Sequence, residues 1–230
     1  MTVGYSQLHD LTSPELARLP VAERNREFGS DKRRQEFMCG RSLLRRMLQD
    51  KTGIAAIDHE LMISKDGKPE CVSGPAISIT HAGDRVACSI ADSGAVGIDL
   101  EVVAARRDPR RLANKFFSAE ESGWLETQPV GHFLMLWVLK EAYVKAIGRS
   151  IFGSINRLRC RVSPPDIEVL GMDDPMRSLC LFSAGEEYLA LASSSDSLSD
   201  VAISRWDFDT DQFQANDEFS LLATSGELAG

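Results

Sequence analysis

The chain has 230 residues, of which 43% are hydrophobic and 26% charged, and its formal net charge is −8. These values are ordinary for a globular protein and exclude wholesale disorder, and the length suits one large domain or two small ones. A chain with this net charge has no overall attraction for a polyanion, so we do not expect nucleic acid as a partner.

The cysteines and the hydrophobic segments indicate the compartment. Five cysteines are scattered singly without a C-x-x-C pair, which favours reduced thiols in a cytoplasmic protein over a disulfide framework. Residues 1–19 lack the continuous apolar core of a signal peptide. No stretch approaches the roughly 20 apolar residues that a membrane span requires. We therefore expect a cytoplasmic protein without a membrane partner.

The first part of the chain predicts helices followed by strands. "SPELARLP" predicts a short helix with Ser13 as its N-cap and Pro14 at its first position. "SDKRRQEFMCGRSLLRRMLQD" predicts a longer helix that is capped by Ser30 or Asp31. "HELMISKDGKPE", "AISITHAG" and "RVACSIADSGAVGIDLE" then predict strands that are separated by glycine-containing turns.

The order of helices and strands recurs in the second part. "DPRRLANKFFSAEESGWLE" predicts a helix with a start signal at Asp108 and Pro109, and residues 133–148 predict a buried helix. Strands are predicted near residues 158–162, 167–171, 179–182, 188–192 and 200–206. The sequence therefore predicts an α+β protein with an N-terminal half (1–104), a C-terminal half (105–206) and an acidic, loose tail (207–230).

The strand "AVGIDLE" places two acids on one face. Alternate side chains of a strand share a face, so Gly97, Asp99 and Glu101 point one way, with the two carboxylates about 7 Å apart. Gly97 has no side chain and is expected to leave room beside the acids for a bulky group to approach. One interpretation is an edge strand with a solvated acidic face. The other is a site for a hard cation such as Mg²⁺, which one or two carboxylates hold together with phosphate and water.

The helix "FLMLWVLKEAYVKAIG" carries charges in an apolar setting. Trp137, Glu141 and Lys145 follow at intervals of four residues and form one stripe, whereas Lys140 lies off it and is expected to face a partner or solvent. Glu141 and Lys145 are either a surface ion pair, worth about 0.3–0.5 kcal/mol, or a pair that binds a ligand.

Three further motifs carry candidate phosphate ligands. "DGKP" presents Lys68 and Pro69 in a turn, "SITHAG" places Thr80 and His81 at a strand end, and "CGRSLLRR" contains Arg41. Each is weak alone, because a turn lysine and a row of helix arginines are usually solvated and a lone histidine is usually structural.

Together these motifs resemble the 4'-phosphopantetheinyl transferases of the surfactin-synthetase-activating type. "GKP", "SITHAG", "VGIDLE", "FFSAEE" and "WVLKEAYVKAIG" match that family in order and spacing, over about residues 41–148. The resemblance implies a monomer of two similar halves related by a pseudo-twofold axis, each with a small, mainly antiparallel sheet. Coenzyme A would bind in the cleft between the halves, with Mg²⁺ as cofactor.

The resemblance also implies a role for each matching residue. Metal ligands would be Asp99, Glu101 and Glu141, and catalytic residues would be Glu141, Lys145 and Glu121, the last as the acid of the "FFSxxE" element. Coenzyme A would be bound by Arg41, Lys68, Pro69, Thr80, His81 and Lys145, with Arg41 and Lys68 near the 3'-phosphate. The sequence departs from the family at Thr80, where serine is usual, but the hydroxyl is kept.

The implied reaction is transfer of the 4'-phosphopantetheine arm of coenzyme A to a serine of an apo acyl or peptidyl carrier protein, with release of adenosine 3',5'-bisphosphate. A carrier is generally acidic, so we expect it to dock on a local basic surface, formed by Arg106, Arg107, Arg110 and Arg111. Two alternatives remain open: a non-catalytic module that binds coenzyme A or a diphosphate, and a metal-dependent phosphohydrolase.

Overall fold

The structure is a computed structural model that describes residues 1–103, 109–151, 153–195, 198 and 201–226. Helices and sheets alternate in the described part, which confirms the α+β class. The α-helices are α1 (Ser13–Ala17), α2 (Val21–Arg24), α3 (Asp31–Thr52), α4 (Pro109–Phe116), α5 (Ala119–Leu125) and α6 (Gly131–Ala146). Short 3-10 helices span Ala56–Asp58 and Ile155–Arg157.

The strands form two main sheets and a hairpin. They are β1 (Thr2–Gln7), β2 (Leu61–Ile63), β3 (Pro69–Cys71), β4 (Ala76–Ala82), β5 (Arg85–Ala91), β6 (Val96–Val102), β7 (Leu158–Ser163), β8 (Asp166–Met172), β9 (Ser178–Ala184), β10 (Glu187–Ser193), β11 (Ile203–Asp207), β12 (Gln212–Ala215) and β13 (Ser220–Thr224). The first sheet has the order β12-β11-β1-β5-β4 and the second β6-β10-β9-β13-β8-β7, while β2 pairs with β3. Neighbouring strands are antiparallel except in the pairs β1–β11 and β8–β13.

Helix starts follow local capping chemistry. Thr12, not the predicted Ser13, caps α1, because its backbone N–H and its hydroxyl both donate to Glu15 Oε2 at 2.9 Å. Ser30 caps α3, as predicted, and its Oγ accepts from Arg33 N at 3.3 Å.

Alternation along the strands divides the core into layers. Ile98 and Leu100 of β6 point into a buried cluster between the two sheets, which also contains Val3 and Tyr5 of β1. Helix α3 covers the outer surface of the first sheet, and α6 covers the outer surface of the second. The other face of β6, with Gly97, Asp99 and Glu101, is therefore directed toward α6.

The two sheets meet at their edge strands, β4 and β6. These strands are not paired by a backbone ladder. Instead, Ile98 N donates to Ser78 Oγ at 3.2 Å and Leu100 N donates to Thr80 Oγ1 at 3.3 Å. The hydroxyls satisfy the N–H groups of an edge strand, and they bring Thr80 next to Asp99.

The segment after residue 206 is not the loose tail that its acidic composition predicted. Strand β12 extends the first sheet, and β13 lies inside the second sheet between β9 and β8. Phe219 and Ala223 are buried, at 9% and 1% exposure. Strand β12 forms a hairpin with the preceding β11, whereas the partners of β13 lie far back in the chain, so composition alone could not reveal the pairing of β13.

The predicted boundary near residue 104 does not separate the sheets. Strand β6, from the predicted N-terminal half, pairs with β10 in the second sheet, and β11, from the predicted C-terminal half, pairs with β1 in the first. The pseudo-twofold relation between the halves stays a prediction. Among the described residues, no helix combines the length and the hydrophobicity that crossing a bilayer requires.

Candidate active site

Three carboxylates converge between β6 and α6. Asp99, Glu101 and Glu141 each offer an oxygen, and these oxygens all lie within 4.8 Å of one another. Asp99 is 3% exposed and the two glutamates are partly buried. The two acids of the strand and the glutamate of the helical stripe therefore lie together, and they are the set that the family resemblance implies as metal ligands.

Asp99 is held by two side-chain hydrogen bonds. Its Oδ1 accepts from Lys145 Nζ at 2.6 Å and from Thr80 Oγ1 at 2.9 Å. Its Oδ2 is buried and has no hydrogen-bond partner among the described residues. A buried carboxylate oxygen without a partner is costly, so this atom is open to a ligand.

The donor set suits a hard divalent cation. Carboxylate oxygens are ligands that Mg²⁺ prefers, at about 2.1 Å from the ion, so two ligands on opposite sides of one ion are about 4.2 Å apart. The three carboxylates are gathered to nearly that spacing. The unpartnered Oδ2 of Asp99 is an independent indication that these residues fit such an ion.

Crowding of negative charge perturbs Glu141. Burial, followed by the negative charge of Asp99, raises the pKa of Glu141 to about 8, although Lys145 opposes the shift. Near neutral pH and without a cation, this carboxyl group therefore tends to hold a proton. Strong perturbation of an acid beside other acids is typical of functional sites.

Gly97 sets the distance between β6 and α6. A Cβ atom at this position would lie 2.5 Å from Ala146 N and would also overlap Ala142 O. The sequence predicted that Gly97 leaves room for a bulky ligand, but the backbone of α6 occupies this room. The glycine therefore permits the close approach that brings Glu141 and Lys145 to Asp99.

We expect Gly97→Ala to push α6 away from β6. Overpacking of this kind costs about 1–3 kcal/mol or more, and a displacement near 1 Å at a catalytic site can lower a rate by about 10²-fold. Thermal unfolding measures the first effect, and turnover with coenzyme A and an apo-carrier, the substrates that the family resemblance implies, measures the second. Gly123→Ala is the control, since nothing lies within 4 Å of its added Cβ. A Gly97→Ala protein with wild-type stability and rate would contradict this interpretation.

Lys140 does not face a partner or solvent, as its position off the stripe had suggested. It is 0% exposed, and its Nζ lies 2.7 Å from Glu121 Oε1. The ammonium also donates to Ile155 O at 3.2 Å and to Leu158 O at 2.6 Å. A buried lysine is tolerated here because its charge is paired and its donors are satisfied.

Glu121 is bound within the same buried network. Its side chain is 0% exposed and accepts from Ser118 N at 3.0 Å, from Ser118 Oγ at 2.8 Å and from Cys160 N at 3.0 Å. This carboxylate caps α5 and neutralises Lys140, and it has no surface for an incoming hydroxyl. The geometry does not support the catalytic role predicted for Glu121, and we assign it a structural one.

Thr80 and His81 both lie near the acids, but Thr80 is buried and His81 is exposed. Thr80 is 3% exposed and donates its hydroxyl to Asp99, so it orients the carboxylate instead of presenting a donor to phosphate. His81 is 39% exposed, and its Nδ1 lies 3.7 Å from Glu36 Oε1. No motif indicated Glu36, although this residue shares a helical stripe with the buried Cys39 and Leu43.

Arg41 is buried, unlike the solvated helix arginine that its motif suggests when read alone. It is 5% exposed, lies over the Phe37 ring at 5.4 Å from the centroid and approaches Glu23 Oε1 at 3.9 Å. Its Nη1 is buried without a hydrogen-bond partner among the described residues. Arg45, one turn later, is fully committed to Glu23 and to two backbone carbonyls.

The remaining predicted ligands lie at the edge of the site or outside the described residues. Lys68 donates to two backbone carbonyls, and burial lowers its pKa. Pro69 lines a cavity of about 370 Å³ between the β2–β3 hairpin and the loop before β6. Arg106 and Arg107 lie outside the described residues, whereas Arg110 and Arg111 fall in the first turn of α4.

The part of the sequence that contains this site is similar to a known protein family. Residues 95–198 match the model of the 4'-phosphopantetheinyl transferase superfamily. The matched stretch contains β6, α6 and all three carboxylates. The match confirms the resemblance that the motifs indicate.

Individual relatives agree with the family model. The chain is 35% identical over 124 residues to the 4'-phosphopantetheinyl transferase AcpT of Salmonella typhimurium, which covers 51% of this chain and 61% of the relative. It is 31% identical over 155 residues to HetI of Nostoc sp. (64% and 65% covered) and 30% identical over 160 residues to psf-1 of Bacillus pumilus (67% and 66% covered). The matches thus span less than two thirds of each relative's length.

Proposed function

Because residues 95–198 match the model of the 4'-phosphopantetheinyl transferase superfamily, we propose that the chain transfers the 4'-phosphopantetheine arm of coenzyme A to a serine of an apo-carrier protein. The products are the holo-carrier and adenosine 3',5'-bisphosphate. The proposal makes the chain an enzyme of the holo-carrier synthase kind, with coenzyme A as substrate and Mg²⁺ as cofactor.

One observation carries the proposal: the family match covers a cluster of three carboxylates in which a buried oxygen of Asp99 lacks a partner and a lysine lies 2.6 Å from the same side chain. A diphosphate under attack accumulates negative charge on its oxygens. A cation held by Asp99, Glu101 and Glu141 would offset that charge. Lys145 supplies a second positive charge at the same place.

The residues around the acids are proposed to orient Asp99, to bind the diphosphate and to accept the serine proton. Thr80 fixes the orientation of Asp99, and Lys145 can donate to a diphosphate oxygen in place of Asp99. The serine hydroxyl must lose its proton, and a carboxylate at the edge of the metal site can accept it directly or through water. With Glu121 buried against Lys140, Glu141 is the proposed base.

The immediate test separates transfer from hydrolysis. We expect release of adenosine 3',5'-bisphosphate from coenzyme A and Mg²⁺ only when an apo-carrier is present, because the serine is the acceptor. Nucleotide release at the same rate without carrier would favour a phosphohydrolase. Binding of coenzyme A without any turnover, with several apo-carriers supplied, would favour a non-catalytic module.

Arg41 is proposed to contact the 3'-phosphate of coenzyme A. Its buried, unpartnered Nη1 supports this role, because a phosphate oxygen would satisfy it. We expect Arg41→Met to raise KM for coenzyme A at least about tenfold with kcat nearly unchanged, and to leave KM for 3'-dephospho-coenzyme A almost unaffected. Arg46→Met is the control, since Arg46 lies on the same helix and also stacks on an aromatic ring, that of Trp206. Equal effects on both substrates would contradict this assignment.

The carrier is proposed to dock on the basic segment that contains Arg106, Arg107, Arg110 and Arg111. We expect reversal of the first three to glutamate to slow carrier association and to leave coenzyme A affinity unchanged. Raising salt from about 0.05 to 0.5 M should weaken carrier binding by the wild type and affect the reversed variant little. Biolayer interferometry with an apo-carrier measures the association rate and its dependence on salt.

A control variant with the same change in net charge reverses three exposed arginines on other elements, Arg24, Arg159 and Arg205. It should bind carrier nearly as tightly as the wild type, because the local basic surface is kept. If reversal at Arg106, Arg107 and Arg110 weakened binding no more than this control, docking would lie elsewhere, with the surface around the partly exposed Phe116 as the next candidate.

A further inference from the structure

The β2–β3 turn holds Lys68 in a defined place. Ser64 N donates to Lys68 O at 2.8 Å, and Lys68 N donates to Ser64 Oγ at 3.1 Å. Gly67 N donates to Ser64 O at 3.0 Å. Gly67 has a φ of +87°, a backbone conformation that favours glycine. The backbone of Lys68 is therefore fixed on both sides before its side chain makes any contact.

The side chain of Lys68 joins three elements at one point. Its Nζ donates to Val96 O, at the start of β6, at 3.1 Å and to Ala146 O, at the end of α6, at 3.0 Å. The last carbonyls of a helix lack intrahelical donors, and a cation at this end is favourable for the helix dipole. The ammonium thus links the hairpin, the strand and the helix.

This junction lies directly beside the candidate active site. Gly97 follows Val96 and packs on the backbone of α6 at Ala146. Lys145 precedes Ala146, and its Nζ lies 2.6 Å from Asp99 Oδ1. A change in how α6 sits on β6 would therefore alter the distance between Lys145 and Asp99.

We propose that Lys68 is a positioning residue that fixes the end of α6 on the start of β6, and that it does not contact the 3'-phosphate of coenzyme A as the sequence motif suggested. The ammonium of Lys68 donates two of its three N–H groups to the carbonyls of Val96 and Ala146, which are 50 residues apart in the chain (146 − 96 = 50). The kinetic part of the inference rests on the proposed transferase function.

The test uses Lys68→Met, which keeps most of the unbranched side chain but removes its donors, and Lys68→Arg, which keeps donors. Lys65→Met is the matched control, because Lys65 is an exposed lysine of the same turn. Two measurements are made on the 230-residue chain: kcat and KM with coenzyme A and with 3'-dephospho-coenzyme A, and hydrogen–deuterium exchange of the last turn of α6.

We expect Lys68→Met to lower kcat about tenfold or more with both substrates, since small misplacements at a catalytic site are costly. The ratio of the two KM values should stay unchanged. Amide exchange at residues 143–148 should become at least about tenfold faster. Lys68→Arg should recover most of the rate and protection, and Lys65→Met should behave like the wild type.

A selective rise in KM for coenzyme A, with unchanged exchange in α6, would overturn the proposal in favour of a 3'-phosphate contact. Wild-type rate and exchange in Lys68→Met would overturn it as well. If the wild type had no transfer activity, the proposed function would fail, whereas the exchange measurement would still decide whether Lys68 fixes α6.

Discussion

Replacing Glu141 with glutamine is expected to lower the transfer rate by about 10²–10³-fold, the usual cost of removing one electrostatic element from a site that stabilises developing charge. The same substitution should raise the free energy of unfolding of the metal-free protein at alkaline pH. This combination of lost activity and gained stability distinguishes a functional acid from a structural one, because functional sites accumulate unfavourable charge.

The sign of the stability change follows from the pKa of Glu141. Burial first, and then the charge of Asp99, raises this pKa from 4.5 to about 8. Below pH about 4.5 the carboxyl group is protonated in both the folded and the unfolded protein. As pH rises from about 4.5 to 8, the unfolded protein loses this proton first, so the free energy of unfolding falls. Glutamine removes this loss, and the gain should be largest above pH 8.

Denaturant unfolding with EDTA at pH 5 and pH 9, together with single-turnover transfer in Mg²⁺, measures both effects. Glu218→Gln is the control, since it makes the same chemical change at an exposed glutamate. Asp99→Asn should also lower transfer by about 10²–10³-fold. Near-wild-type turnover in either variant would contradict the assignment of these acids as metal ligands. A Glu141→Gln protein that is no more stable than the wild type at pH 9 would contradict the explanation by crowding of negative charge.

Replacing Lys140 with methionine is expected to destabilise the protein by about 3–5 kcal/mol, the cost of breaking a buried ion pair by removing one partner. Lys140 and Glu121 are both 0% exposed and 2.7 Å apart, so the remaining carboxylate would be buried without a counter-charge. The double variant Lys140→Met/Glu121→Gln should recover much of the loss, because the amide keeps an acceptor for Cys160 N and carries no charge.

Denaturant unfolding of the two single variants and the double variant forms a double-mutant cycle. Glu120→Gln is the matched control, because the adjacent Glu120 is 49% exposed and pairs with Arg161 at the surface, where such pairs contribute about 0–1 kcal/mol. Additive losses in the cycle would contradict the buried pair. A stably folded Glu121→Gln protein whose transfer rate is about 10²–10³-fold lower would restore the catalytic role predicted from its motif.

Local periodicity explains how much of the site could be predicted. The period of two places Asp99 and Glu101 on one face of β6, and the spacing of four residues places Glu141 and Lys145 on one stripe of α6. Both patterns depend only on neighbouring residues. The convergence of the two elements is non-local, and the family resemblance supplied it.

Tertiary contacts explain what periodicity missed. Lys140 and Glu121 are 19 residues apart and meet only because α5 packs beside α6, so no local pattern could pair them. Gly97 indicated a close approach, but only the fold identified α6 as the neighbour. Strand β13 lies in the acidic C-terminal segment, and its pairing partners β8 and β9 lie far back in the chain.

Intact-mass spectrometry of apo acyl and apo peptidyl carrier proteins, incubated with this protein, coenzyme A and Mg²⁺, tests the proposed function most directly. We expect a carrier to gain the mass of one phosphopantetheine group on a single serine, and we expect no gain with the Glu141→Gln variant or with EDTA. Carriers that keep their apo mass, while the protein binds coenzyme A or hydrolyses it, would contradict the proposed transfer.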